Sequence, residues 1–265
     1  VIAQPVINAF QLSDSQYGFL NGPPFAIFYA LMGIPIAAAA DKYNRVVIIA
    51  ICIAIWSLMA ALCGVATSFL FLLCARVGVA IGEAGCTPPA NSIIGDYFKP
   101  KSRAHALGIY SMGVTIGGAL SNGFGGPIAN SLHGDSLLRF FEAQRWLWAI
   151  DLLDWSKVEG WRIAFIAIGA PGLIVALLVL FTVKEPPRGG ADPVGVVHAQ
   201  QSSFLDTLRE LSRKPTFWIM AIGASLAGLV GYGLTGFQAP MAQRIHGISA
   251  GDFALQFGLP LSIAA

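Results

Sequence analysis

Residues 69–94 read FLFLLCARVGVAIGEAGCTPPANSII, and two opposite charges, Arg76 and Glu83, stand inside this otherwise apolar run. The run is long enough to cross a bilayer core, which takes about 20 helical residues. A charge at that depth costs at least ~2.5–3.5 kcal/mol on insertion scales, so it faces a polar cavity or a partner. Seven residues make nearly two turns, which puts both side chains on one helix face about 10 Å apart, too far to pair with each other. Counting inward from Phe69, Glu83 falls near the midplane and Arg76 nearer the outer surface. Two readings fit: a polar lining for a path between helices, or a structural ion or hydrogen bond to a neighbouring helix.

The rest of the chain agrees with a membrane setting. Its 265 residues are 55% hydrophobic and 11% charged, against roughly 45–50% and 25% in soluble domains. Mean hydropathy is +0.68. Besides 69–94, spans are predicted over Tyr17–Ala40, Val46–Ala66, Ala104–Leu132, Trp161–Val183 and Phe217–Met241, with another starting near Asp252 and residues 1–10 ending an earlier one. All are expected to be helices, since an isolated strand leaves its backbone groups unsatisfied in lipid and no period-2 pattern suggests a barrel. The fold class is therefore an all-α polytopic membrane bundle. The chain starts without methionine and stops inside an apolar stretch, and reads as a piece cut at both ends.

Basic residues set the orientation. Alternate loops hold Lys42 and Arg45, then Lys99, Lys101 and Arg103, then Lys184, Arg188, Arg209, Arg213 and Lys214; the opposite loops hold half as many. The positive-inside rule places the first set in the cytoplasm. Residues 184–214, with Pro186, Pro187, Gly189, Gly190 and Pro193 and an amphipathic stretch around Phe204–Leu211, read as a cytoplasmic linker between a bundle at 1–183 and the start of a second at 215–265. On the outside, His133–Gly160 mixes Trp146, Trp148 and Trp155 with alternating charges. That suits a helix lying in the interface, or a loop closing over a path.

Two further features carry candidate roles. At Asp41-Lys42-Tyr43-Asn44-Arg45, Asp41 precedes the next helix N-terminus, where its charge meets the positive end of the dipole. Arg45 can pair with Asp41 or with lipid phosphate, and an ordinary positive-inside turn explains the segment equally well. Gly113-x-x-x-Gly117, with Gly118, lets another helix approach closely and slide, or simply pack tightly. The four cysteines lie within spans without metal spacing. Gly134-Asp135-Ser136-Leu137 spells a lipase signature out of its strand context, a chance match. A net charge of +2 without a basic run is too small to argue for nucleic acid, and none is expected as a partner. No nucleotide, metalloprotease or hydrolase motif occurs, and no cofactor is implied.

These segments resemble the major facilitator superfamily. The 41–45 segment is similar to its helix 2–3 loop, G-x-x-x-D-R-x-G/N-R. Ala75 to Gly85, continuing through Cys86-Thr87-Pro88-Pro89-Ala90 to Asp96-Tyr97-Phe98 and Arg103-Ala104, resembles helix 4 of the spinster-like branch. Gly125-Gly126-Pro127, Gly160-Trp161-Arg162-Ile163-Ala164-Phe165, Gly169-Ala170-Pro171-Gly172 and Glu185-Pro186-Pro187-Arg188-Gly189 extend the match in order. The resemblance implies that the spans are helices 2–7, with helix 8 cut off. It also implies alternating access around a central cavity, driven as a rule by protons, with lipid-like amphiphiles as substrates of eukaryotic members. Arg76 then matches a helix-4 arginine that pairs with an acid on helix 1, Glu83 lines or braces the cavity, and Asp41, Lys42 and Arg45 belong to a cytoplasmic latch. The expected function is a proton-coupled secondary transporter in the cell membrane of a bacterium, with membrane lipids and a small organic or lipid-like solute as partners. Ala37, Lys42 and Ala80 depart from the pattern; lysine loses the planar bidentate donor of arginine. A lipid-modifying enzyme is disfavoured by four scattered histidines (His105, His133, His198, His246), and a non-transporting receptor or scaffold by the retained cavity charges.

Overall fold

The computed structural model describes residues 2–131, 134–144, 158–191 and 204–264. The tryptophan-bearing part of the outer insertion and the middle of the cytoplasmic linker lie outside the described residues.

Among those residues the chain is helical: α1 Ala3–Phe10, α2 Asp14–Asn21, α3 Pro23–Ala40, α4 Arg45–Gly64, α5 Phe69–Ala84, α6 Thr87–Tyr97, α7 Pro100–Ser131, α8 Gly134–Ala143, α9 Gly160–Gly169, α10 Pro171–Thr182, α11 Phe204–Ser212, α12 Pro215–His246, then α13 Ala250–Phe253, a π-turn Ala254–Gly258, and α14 Leu259–Ala264. Starts are set by side chains that accept the orphan N–H groups of the first turn. Ser13 and Gln16 form a reciprocal capping box on α2. Asn44 accepts from Val47 N on α4, and Ser68 from Phe71 N on α5.

Five helical stretches are long and apolar enough to span a membrane: Asp14–Ala40, Arg45–Gly64, Phe69–Tyr97, Gly160–Thr182 and Pro215–His246. The remaining expected span, Ala104–Leu132, appears as α7, one unbroken helix of 32 residues. It would reach about 48 Å at ~1.5 Å per residue, but its glycines and serines leave it less apolar than the other five. Three spans read as continuous are interrupted, after Gly22, at Gly85-Cys86 and at Ala170. Each break precedes prolines at the start of the next helix, which lack the N–H that would continue the ladder. Large apolar side chains face outward, Val114 being 82% exposed and Phe181 80%, the inverse of a soluble protein and the surface that lipid requires.

α4 is the central strut, packed against α5 on one side and α9–α10 on the other, while α3 lies along α5. Glycines make this closeness possible. A Cβ added at Gly82 would lie 2.6 Å from Trp56 N, and one at Gly169 2.7 Å from Ala61 N. At the end opposite the basic loops, Trp161 (2% exposed) packs with α1, Leu12 and Tyr17 against Cys63, Leu72 and Ala75. There Arg162 donates to Gly64 O (3.2 Å) and Ala66 O (2.5 Å), closing the carbonyl end of α4.

The glycines of α7 behave differently from expectation. A Cβ at Gly113 or Gly117 would meet nothing within 4 Å, and one at Gly118 would make only ordinary contact, 3.6 Å from Ser262. The close approach read from Gly113-x-x-x-Gly117 is therefore absent here. α7 turns that face away from the bundle and makes its contacts one turn later, where Asn122 Nδ2 donates to Gly258 O (3.2 Å) and Ser262 Oγ (2.9 Å).

Candidate functional site

Two polar groups interrupt the apolar bundle, one at its basic end and one within the span α5–α6. At the basic end Arg45, the first residue of α4, is 1% exposed. Its Nε donates to Glu185 Oε1 at 2.5 Å, Nη1 pairs with Asp96 and donates to Ser92 Oγ (2.8 Å), and Nη2 donates to Pro186 O (3.0 Å). Glu185 Oε2 also accepts from the backbone N of Arg45 (2.8 Å) and Val46 (3.2 Å), placing a carboxylate on the positive end of the α4 dipole. Asp96 Oδ1 accepts from Gly189 N at 2.9 Å. Arg188 in turn donates to Ala40 O (2.7 Å) and Tyr43 O (3.1 Å), so the α3–α4 turn is strapped to the chain leaving α10.

This corrects the sequence reading of the turn. Asp41 ends α3 instead of sitting on the α4 N-terminus, and Arg45 pairs with neither Asp41 nor the surface. Asp41 and Lys42 stand exposed and make no side-chain bond among the described residues. Sequence reasoning gave no role to Asp96, Glu185, Ser92 or Arg188. A fully buried arginine needs carboxylates, but nothing in the sequence marks Arg45 as buried; Asp96 closes α6 and Glu185 follows α10, both on the basic side.

Within the second group, Arg76 and Glu83 are both half-buried on α5. Arg76 Nη2 donates to Asn21 Oδ1 at 3.0 Å, and the guanidinium carbon lies 5.3 Å from the centre of the Phe25 ring. Arg76 Nε is buried without a hydrogen-bond partner, and among the described residues no carboxylate is within ion-pair distance. Glu83 makes no ion pair or hydrogen bond among the described residues either. On α3, Tyr29 lines a groove of about 670 Å³ that runs past Gly33 to Asp41, Ala84, Thr87 and Ser92. Among the described residues α5 therefore carries a cation and an acid in one apolar span with no ion pair to either, and, as their spacing predicted, they do not pair with each other. Among the described residues no cluster of three metal-ligating side chains occurs.

The family model described as Major Facilitator Superfamily matches residues 1–265. The chain belongs to that superfamily. Within it the relatives include spinster homologs. The chain is 54% identical to a bacterial homolog of the human lysosomal transporter spinster, crystallised in an inward-facing and unoccupied conformation, with a TM-score of 0.90 over 98% of this chain and 54% of that one. It is 32% identical over 98% of its length to an MFS-type efflux pump of Mycolicibacterium smegmatis, covering 53% of that protein. Protein spinster homolog 3 of Mus musculus is 28% identical over 93% of this chain and 44% of its own length. The chain thus spans about half the length of these relatives. Fold, membrane character and spinster-like membership agree with the sequence reading, and the superfamily's members are multi-pass membrane transporters.

Proposed function

We propose that the full-length protein is a secondary transporter that moves a small organic or amphiphilic, lipid-like solute across the bacterial cell membrane by alternating access, coupled to protons. The observation that carries this reading is Arg76, a cation in an apolar span whose one hydrogen bond among the described residues goes to a neutral amide. Such a charge persists in a membrane only beside water, a mobile counter-ion or a substrate group. Glu83, two turns further on and also without a partner, supplies a carboxyl that can take up and release a proton in the same space. The names of the relatives, an efflux pump and spinster homologs, favour transport over an enzyme or a scaffold.

Residues 1–183 form the first bundle in this reading, 184–214 the linker, and 215–265 the start of the second. The cytoplasmic latch takes a modified form. Arg45 is the buried anchor that stiffens the α3–α4 turn, and Asp41 with Lys42 are what the turn presents to the opposite half. The open face of α7 around Gly113, Gly117 and Gly118 leaves a smooth surface for the second half to move along.

The test is gradient-driven uptake or efflux by the full-length protein in proteoliposomes, read together with solute-dependent proton flux. Arg76→Ala should bring both to background while expression and folding are kept. Transport that persists in Arg76→Ala removes Arg76 from the mechanism; flux without proton movement removes the coupling ion.

A further inference from the structure

Asn21 is the last residue of α2, just before the Gly22-Pro23 break, and it contacts Arg76 from the neighbouring span. Its amide can lie either way round, but the network fixes it. Nδ2 donates to Tyr17 O at 3.3 Å, one turn back on its own helix, which turns Oδ1 toward the guanidinium. The flipped amide would set donor against donor, since a guanidinium has no acceptor. Phe25, one turn beyond Asn21, lies under the same guanidinium. Arg76 is thus held on one side by a neutral acceptor and on another by a ring face. This Nη2 bond is its only hydrogen bond among the described residues, and Nε is left over.

We propose that Asn21 is a positioning residue for Arg76: it orients the guanidinium through a neutral acceptor, which leaves the Arg76 charge itself unaltered. The importance of that charge rests on the transport reading above; the positioning itself does not. An aspartate in its place is nearly the same shape but would put a full negative charge where the amide oxygen now sits, directly beside Arg76.

The experiment is NMR of the arginine Nη–H groups, the donors that meet Asn21, in the 15N-arginine-labelled full-length protein in nanodiscs, with the Arg76 signal assigned by its loss in Arg76→Lys. In Asn21→Ala the Arg76 signal should move and its exchange with water quicken about tenfold, the scale of a lost hydrogen bond to a charged group. In Asn21→Asp exchange should stay slow, while the signal gains a shift with pH through the carboxylate range beyond whatever Glu83 gives the wild type. The Arg45 signal, from a side chain 1% exposed and held by Glu185, reports that the variants are folded. An Arg76 signal unchanged in Asn21→Ala overturns the proposal. If that variant fails to fold, an Arg76 signal that neither moves nor gains that shift with pH in Asn21→Asp overturns it. No transport enters these readings. An Asn21→Ala spectrum that behaves as expected beside an active Arg76→Ala therefore keeps the positioning and discards the coupling, and the opposite pair of results does the reverse.

Discussion

At the scale of single residues, Arg45 and Arg76 show opposite ways of keeping a cation in this bundle. Arg45 is matched: two carboxylates, a hydroxyl and a backbone carbonyl take up its donors. Removing one member of such a buried set leaves the other charges uncompensated and costs about 3–5 kcal/mol. Arg45→Ala and Glu185→Gln should each lower the thermal unfolding midpoint of the detergent-solubilised full-length protein, and Arg45→Lys should fail to restore it, because one ammonium cannot serve the fork of acceptors that the planar guanidinium reaches. A midpoint unchanged by Glu185→Gln would show that the cluster is not what fastens α4 to the end of α10. Arg76 and Glu83 could be found in the sequence, since a charge in an apolar run is visible without knowing its surroundings. The partners of Arg45 could not, because Asp96 lies 51 residues and Glu185 140 residues away and each looks like an ordinary loop acid. Asn21 was invisible for a related reason: a neutral amide near a span end carries no signal until the arginine facing it is known.

At the scale of helices, spacing announced the spans but not which face of each is buried. Gly82 and Gly117 sit in similar surroundings along the sequence, small residues among apolar ones, and they do opposite things. The backbone of α4 runs past Gly82, while nothing comes within reach of Gly117. Gly82→Val should therefore force α4 and α5 apart, at a cost of about 1–3 kcal/mol for overpacking. Gly117→Ala should leave stability unchanged or raise it by up to ~1 kcal/mol, the gain in helix propensity. Thermal unfolding of the two variants side by side checks this, and a Gly117→Ala protein as damaged as Gly82→Val would mean that α7 packs on that face after all. The breaks within spans follow the same lesson. Prolines at 23, 24, 88, 89 and 171 begin new helices, whereas Pro35, Pro127 and Pro240 sit inside continuous ones. Composition marks where a ladder bond is missing, and the packing around it decides whether the helix ends there.

At the scale of the whole molecule, the hydrogen bonds, ion pair and ring contact that join α12 to α1 and α2 lie at one end. Tyr17 donates its hydroxyl to Gly236 O at 3.4 Å, its ring meets Phe237 edge-on at 5.6 Å between centroids, and Arg244 pairs with Asp14 at 2.8 Å while its Nε donates to Gln4 at 2.9 Å. Nearer the basic end, Cβ atoms at Gly223, Gly228, Gly231 and Gly233 would meet nothing within 4 Å, and Tyr232 is 87% exposed. Among the described residues α12 therefore meets α1 and α2 on the side away from the basic loops and is open on the glycine face nearer to them. Alternating access, as proposed, requires this set of contacts to part in the opposite state. The ion pair itself is a weak clasp. Its side chains are 40% and 58% exposed, a setting in which such pairs contribute about 0–1 kcal/mol, so Asp14→Asn alone should shift the balance of states by less than about fivefold. A covalent bridge at the same place is the stronger probe. With Cys74, the exposed native thiol, changed to alanine, Asp14→Cys and Arg244→Cys joined by a flexible bismaleimide should hold the halves together and stop turnover, while the uncrosslinked double variant keeps working. Turnover that survives complete cross-linking would mean that these ends never separate, and that the solute path does not open on this side.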